Sequence, residues 1–138
     1  MYVLPSVVLV LPFVGVLFLL FVRGSERVVS KNSRHVALLI TVSVFFLSLL
    51  SLTAGGDISP IRADWRTDVD ALSMFFVLLI SFVTVLAVGI VRRHVPFGVR
   101  EFCFLALTAE GFMLTAVCAR DLWRFFALWE AAAVPLFL

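Results

Sequence analysis

Five apolar runs separated by short polar stretches constrain this chain more than anything else in it. They cover Val3 to Val22, Val36 to Leu52, Leu72 to Val91, Phe102 to Ala119 and Leu122 to Leu138. A helix needs roughly 17–25 residues to cross the ~30 Å hydrocarbon core of a bilayer, and all five runs approach or reach that range, the last one barely. The expected fold is all-α: a polytopic transmembrane helical bundle of about five spans, forming a single membrane domain over residues 1–138. Composition excludes the soluble alternative. The chain is 63% hydrophobic and 14% charged, against roughly 45–50% and 25% in soluble domains, and its fifteen Phe have no place on a water-exposed surface.

The charges lie between the apolar runs. Arg23, Arg27, Lys31 and Arg34 follow the first run, and Arg92, Arg93 and Arg100 follow the third. The opposite side carries Arg62, Arg66 and Arg120, Arg124 in the first turn of the fifth helix, and the acidic group Asp57, Asp64, Asp68 and Asp70. Basic residues are retained on the cytoplasmic or matrix side, so the first and third connections are expected inside and Met1 outside. A net charge of +2, dispersed in this way, suits interfacial anchoring to membrane lipids and gives no nucleic-acid surface. Cys103 and Cys118, fifteen residues apart on one expected helix, are separated by about 22 Å at ~1.5 Å per residue and cannot bond to each other. No cofactor or metal motif is present in the pattern. The N-terminus has neither a signal-peptide nor a transit-peptide character, which suits synthesis at the membrane of insertion.

Two glutamates break the apolar runs. Glu130 lies about halfway along the fifth and Glu110 near the middle of the fourth. An ionisable group at such depth costs on the order of a few kcal/mol, so it faces a bundle interior or a hydrated path and points to proton or ion handling. Burial favours the neutral form of a carboxyl and a nearby cation the charged form, which makes protonation switchable. The bland alternative for both is a protonated glutamate that holds helices together. Ala127 and Ala131 flank Glu130 at small-xxx-small spacing and fit that alternative; Pro135 removes a backbone hydrogen bond from residue 131 and bends the helix beyond the glutamate. On consecutive antiparallel helices the two carboxyls are expected to border one hydrated track.

The remaining polar residues read as structural. Thr108, Gly111, Thr115 and Cys118 on the fourth helix, and Thr41, Ser48 and Ser51 on the second, form seams for close packing and hydrogen bonding. Asp70 is placed to cap the third helix, and Glu101 to complement the dipole in a first turn. His35 and His94 sit at membrane edges without a second ligand at helical spacing, and Trp65, Trp123 and Trp129 read as interface and packing residues. Lys31 is the single lysine and lies outside every apolar run, so a buried cation paired with Glu130 must come from another polypeptide.

The stretches "DVDALSMFFVLLISF" and "AVCARDLWRFFALWEAAAVPLFL" resemble the N-terminal part of the antiporter-like membrane subunits of respiratory complex I, in particular subunit 4. The resemblance is carried by Asp70, Leu72 and Ser73, by Glu110, by Asp121 and Leu122, and by Trp129, Glu130 and Pro135 in a W-E-x-x-x-x-P pattern; it runs from about Asp68 to Leu138. Ala71 stands where the family has glycine, and Arg120 and Arg124 where it has apolar residues. The resemblance implies a proton-translocating module of an NADH:ubiquinone reductase, in which Glu130 pairs with a lysine of a later helix while no redox chemistry occurs in this chain. It also implies other membrane-arm subunits as partners. Family members have many more helices, so the chain is expected to be one piece of a split subunit, completed by a second chain that supplies the lysine, or a fragment. The mitochondrial inner membrane is the expected location, with a bacterial plasma membrane as the alternative. Two further readings fit the same residues: a cation/proton antiporter subunit or plastid plastoquinone-type relative, and a structural membrane subunit without transport.

Overall fold

A computed structural model describes residues 3–54, 71–94, 98–119 and 121–137. The expected Asp70 cap, Arg120, Trp65 and the acidic group lie outside the described residues, as do the side chains of Arg92, Arg93 and His94. Five helices follow one another: α1 Val3–Phe21, α2 Glu26–Ala54, α3 Ala71–His94, α4 Val99–Val117 and α5 Leu122–Phe137. The all-α membrane architecture expected from the apolar runs is the one found. Among the described residues α2 and α3 are long and apolar enough to cross a membrane by themselves. At ~1.5 Å per residue, the 19 residues of α1 and of α4 extend about 28 Å, close to the hydrocarbon thickness.

α2 starts well before its apolar run. Arg27, Lys31 and Arg34 therefore ride on the helix instead of forming a loop. Arg27 and Lys31 are exposed, and long basic side chains of this kind lay their stems along an apolar surface and keep their heads in water, so the helix outlasts the hydropathy signal; Arg34 is half-buried, with its Nε out of solvent. The reversal between α1 and α2 uses Gly24 at φ 147, a backbone conformation side chains disfavour. The Val29 amide then donates to the Ser25 carbonyl (2.9 Å) and opens the next helix.

α4 is the central element. It packs against α1, α2, α3 and α5, whereas α5 touches only α4 among the described residues. Each of the first three helices buries one stripe at helical spacing: Val8, Pro12, Gly15 and Leu19 on α1; Ser33, Ala37, Thr41, Val44 and Ser48 on α2; Met74, Val77, Ser81, Val88 and Val91 on α3. These stripes meet α4 in two apolar clusters. One joins Val8, Val44, Met74, Val77, Leu114 and Cys118; the other joins Leu19, Ala37, Val88, Val91, Val99, Cys103 and Leu107. Both cysteines are free and buried.

Close approach at the small-residue positions is real. A Cβ on Gly111 would lie 2.9 Å from the Phe13 ring, and one on Gly15 would lie 2.5 Å from Ile40 Cδ1. Because Ile40 packs on both clusters, Gly15→Ala is expected to cost about 1–3 kcal/mol by overpacking, read as a lower thermal midpoint of the assembled protein. The expected hydrogen bonding across helices takes a different form. Thr41, Ser48, Ser51, Thr108 and Thr115 all donate to carbonyls three or four residues back in their own helix. That local acceptor is always within reach of a helical hydroxyl, so these seams bring helices together by small size.

Arg100 joins two helices. Its Nε donates to the Leu19 carbonyl (3.2 Å) and its Nη2 to the Leu20 carbonyl (3.3 Å), filling acceptors that the last turn of α1 leaves open. A cation there also complements the negative helix end. The start of α4 is thereby fixed beside the end of α1, which puts the basic residues of the first and third connections at one end of the bundle, as loop charge predicts. Removing the head in Arg100→Ala is expected to cost about 1.5–3 kcal/mol. Amide exchange should accelerate in the last turn of α1 and stay unchanged in α3.

Candidate functional site

The two membrane-embedded glutamates occupy opposite environments. α4 and α5 are joined through residues 118–121 and pack along each other. Glu110 lies seven residues before the end of α4 and Glu130 eight residues after the start of α5, so each stands about 11 Å from that turn at ~1.5 Å per residue. Their depths match, as the sequence predicts. Their directions do not.

Glu110 is 1% exposed, one of the most buried side chains of the bundle. Its flanking turns place it between Leu107 of one apolar cluster and Leu114 of the other. At 100° per residue it stands one position round from Gly111, which faces Phe13 of α1. Among the described residues neither Glu110 Oε1 nor Oε2 has a hydrogen-bond partner. The ion pair found among those residues, Arg124 Nε to Asp121 Oδ2 at 3.6 Å, is exposed and remote in sequence from α4's middle. Leaving a buried polar group unpaired costs about 1–3 kcal/mol, and a group held at that cost is a functional candidate.

Glu130 is exposed. The face of α5 that packs on α4 is marked by Ala132 and Pro135, its buried residues, and these stand about 160° and 140° round the helix from Glu130. The outer face is apolar: Trp123, Phe126, Val134 and Phe137 are all exposed and fall within about 40° of Glu130. A carboxyl thus sits at the centre of an uncovered apolar stripe. Within these five helices the two carboxyls do not border a common track, because α5 meets the bundle through α4 alone and turns its glutamate away from it. Ala127 is exposed on that outer side too, so the small-xxx-small pair is not an α4 contact.

The other singled-out residues keep structural places. Glu101 is in the first turn of α4. His35 Nδ1 donates to the Lys31 carbonyl (2.7 Å) on an exposed face. Trp129 stacks on Phe125 with centroids 5.8 Å apart and is half exposed, while Trp123 is almost fully so. Arg124, out of place for the resemblance, forms the pair with Asp121. Sequence reasoning missed the role of Arg100, and no local signal announces it, since its acceptors lie eighty residues away.

No family model matches the chain. Curated relatives do. Over 145 residues it is 31% identical to NADH-quinone oxidoreductase subunit M of Rhodobacter capsulatus, covering 96% of this chain and 28% of that protein. It is 29% identical over 146 residues to NAD(P)H-quinone oxidoreductase chain 4 of Synechococcus sp. (strain CC9605), covering 96% and 27%. The chain 4 protein of Prochlorococcus marinus (strain AS9601) is 30% identical over 122 residues, covering 78% and 23%. The chain therefore spans about a quarter of the length of the curated relatives it matches. Along nearly its whole length the chain is similar to NADH-quinone oxidoreductase subunit M and NAD(P)H-quinone oxidoreductase chain 4 proteins, which supports the resemblance to complex I membrane subunits that the sequence carries.

Proposed function

We propose that this chain is part of a proton-translocating membrane-arm subunit of NADH:quinone oxidoreductase, with Glu130 as its principal proton-exchanging group and Glu110 as a second, buried one. The observation that carries this reading is the placement of Glu130 at the centre of an exposed apolar stripe on α5. A carboxyl on a lipid-facing surface costs on the order of a few kcal/mol. The stripe is therefore a surface for further protein, and the group that meets Glu130 is a cation, a lysine in the reading drawn from the family resemblance. This cation comes from outside the five helices, from a continuation of the subunit or from a second chain. Other membrane-arm subunits are the natural neighbours of such a surface.

The work required fits buried carboxyls. Moving one elementary charge against ~100 mV takes about 2.3 kcal/mol, and a pair of groups with switchable charge in low dielectric can store that much. The relatives named above are bacterial proteins, which favours a bacterial membrane over the mitochondrial inner membrane. The test is proton translocation per electron in the assembled enzyme carrying Glu130→Gln. Loss of pumping with normal assembly supports the reading; undiminished pumping refutes it.

A further inference from the structure

We propose that Lys31 and Arg34, with Arg27 behind them, bind the phosphate of an anionic phospholipid at the inner end of α2; the inference depends on neither glutamate. The three cations stand at i, i+4 and i+7 of one helix, and at 100° per residue they fall within about 60° of one another. Arg27 and Lys31 are exposed. Arg34 is half-buried, and its Nε is out of solvent without a hydrogen-bond partner among the described residues. Arg100 at the same end differs, since its guanidinium spends Nε and Nη2 on the open carbonyls of α1. Acidic groups do not balance the stripe. Only Glu26 and Glu101 oppose the basic residues of the first and third connections, and the ion pair found among the described residues lies elsewhere, between Arg124 and Asp121. A guanidinium drawn out of water without a counter-charge is unfavourable, so this face favours an anion from outside the five helices.

Depth selects the anion. The 29 residues of α2 extend about 43 Å at ~1.5 Å per residue, against ~30 Å for the hydrocarbon core and ~40–45 Å with both headgroup layers. The apolar run begins at Val36, which puts the backbone of Arg34 about 3 Å and that of Lys31 about 8 Å outside the core, across a headgroup layer roughly 5–7 Å deep. Phospholipid phosphates lie in that layer, and cations beside an anionic leaflet are drawn to it. Arg34 offers a planar fork of N–H donors that matches two phosphate oxygens, and Lys31 adds a compact point charge. The helix also gives the rest of such a lipid a path. Leu39, Phe46 and Leu49 are exposed and stand within about 80° of Lys31, so an acyl chain follows them into the core from a phosphate held at the cations. An inorganic phosphate would gain nothing from this apolar track.

The experiment reconstitutes the assembled oxidoreductase in phosphatidylcholine vesicles containing a few per cent of a photoreactive phosphatidylglycerol and reads the labelling of residues 26–39 by mass spectrometry. Lys31→Gln and Arg34→Gln are each expected to lower that labelling several-fold. Arg23→Gln removes the same charge at the same end but precedes α2, off the stripe, and should leave labelling unchanged. Unlabelled phosphatidylglycerol should compete the label away, whereas phosphatidylcholine and inorganic phosphate should not. Wild-type labelling in both stripe variants overturns the proposal, and so does an equal loss in Arg23→Gln, the mark of diffuse attraction to the leaflet. Competition by inorganic phosphate would assign the cations to a free anion, and loss of a neighbouring subunit from Lys31→Gln with labelling intact would assign them to an acidic protein surface; either result also overturns it. Lys31 is exposed, so Lys31→Gln carries the test even where Arg34→Gln assembles poorly.

Discussion

Glu130→Gln is expected to reduce proton translocation to the level of passive leak while leaving the amount of assembled enzyme within about twofold of wild type. Glutamine has nearly the same volume and keeps hydrogen-bonding capacity, yet it has no proton to exchange and no charge to pair. Glu130 is exposed, on the face of α5 opposite the buried Ala132 and Pro135. Exposed substitutions usually change stability by less than about 0.5 kcal/mol, so folding of these helices should be indifferent. If the glutamate instead served only to hold helices together, the same substitution would lower assembly or change nothing. Pumping and assembly must therefore be measured together, with quinone reductase rate as a third readout that falls in step with pumping in a coupled enzyme.

The second large effect concerns Glu110 and couples a gain in stability to a loss of function. Glu110→Met replaces an unpaired buried carboxyl with an apolar side chain that is flexible enough to fill the same space. Removing an unsatisfied polar group of this kind is worth about 1–3 kcal/mol, and apolar replacements of buried ionisable groups are often stabilising. The thermal midpoint of the assembled protein should rise, and proton translocation should fall. This combination is a trade of stability for function, as expected where an active group is held in an unfavourable place. A fall in thermal midpoint would show that Glu110 has a structural partner in the rest of the assembly and would reverse its assignment.

Much of this was legible in residues alone, and the failures have physical causes. The apolar runs located the helices because a bilayer demands length and hydrophobicity, and both glutamates stood out because so little else in those runs is charged. The helix start at Glu26 was hidden, since Arg27, Lys31 and Arg34 look like a loop to a hydropathy argument while their stems tolerate a helical surface. The direction of each glutamate was hidden for another reason. α5 is apolar nearly all round, so Trp123, Phe126, Val134 and Phe137 on its outer face give no contrast with Ala132 and Pro135 on its inner one. Only the contacts of α5, limited to α4, separate the two faces.

The measurement that bears most directly on the central claim is the structure of the intact membrane assembly, read at Glu130. A basic side chain from outside these five helices, within salt-bridge reach of the Glu130 carboxyl and covering the stripe from Trp123 to Phe137, is the predicted result. A Glu130 surrounded only by apolar side chains or lipid acyl chains would contradict the proton-path role and leave this chain an anchoring part of its complex.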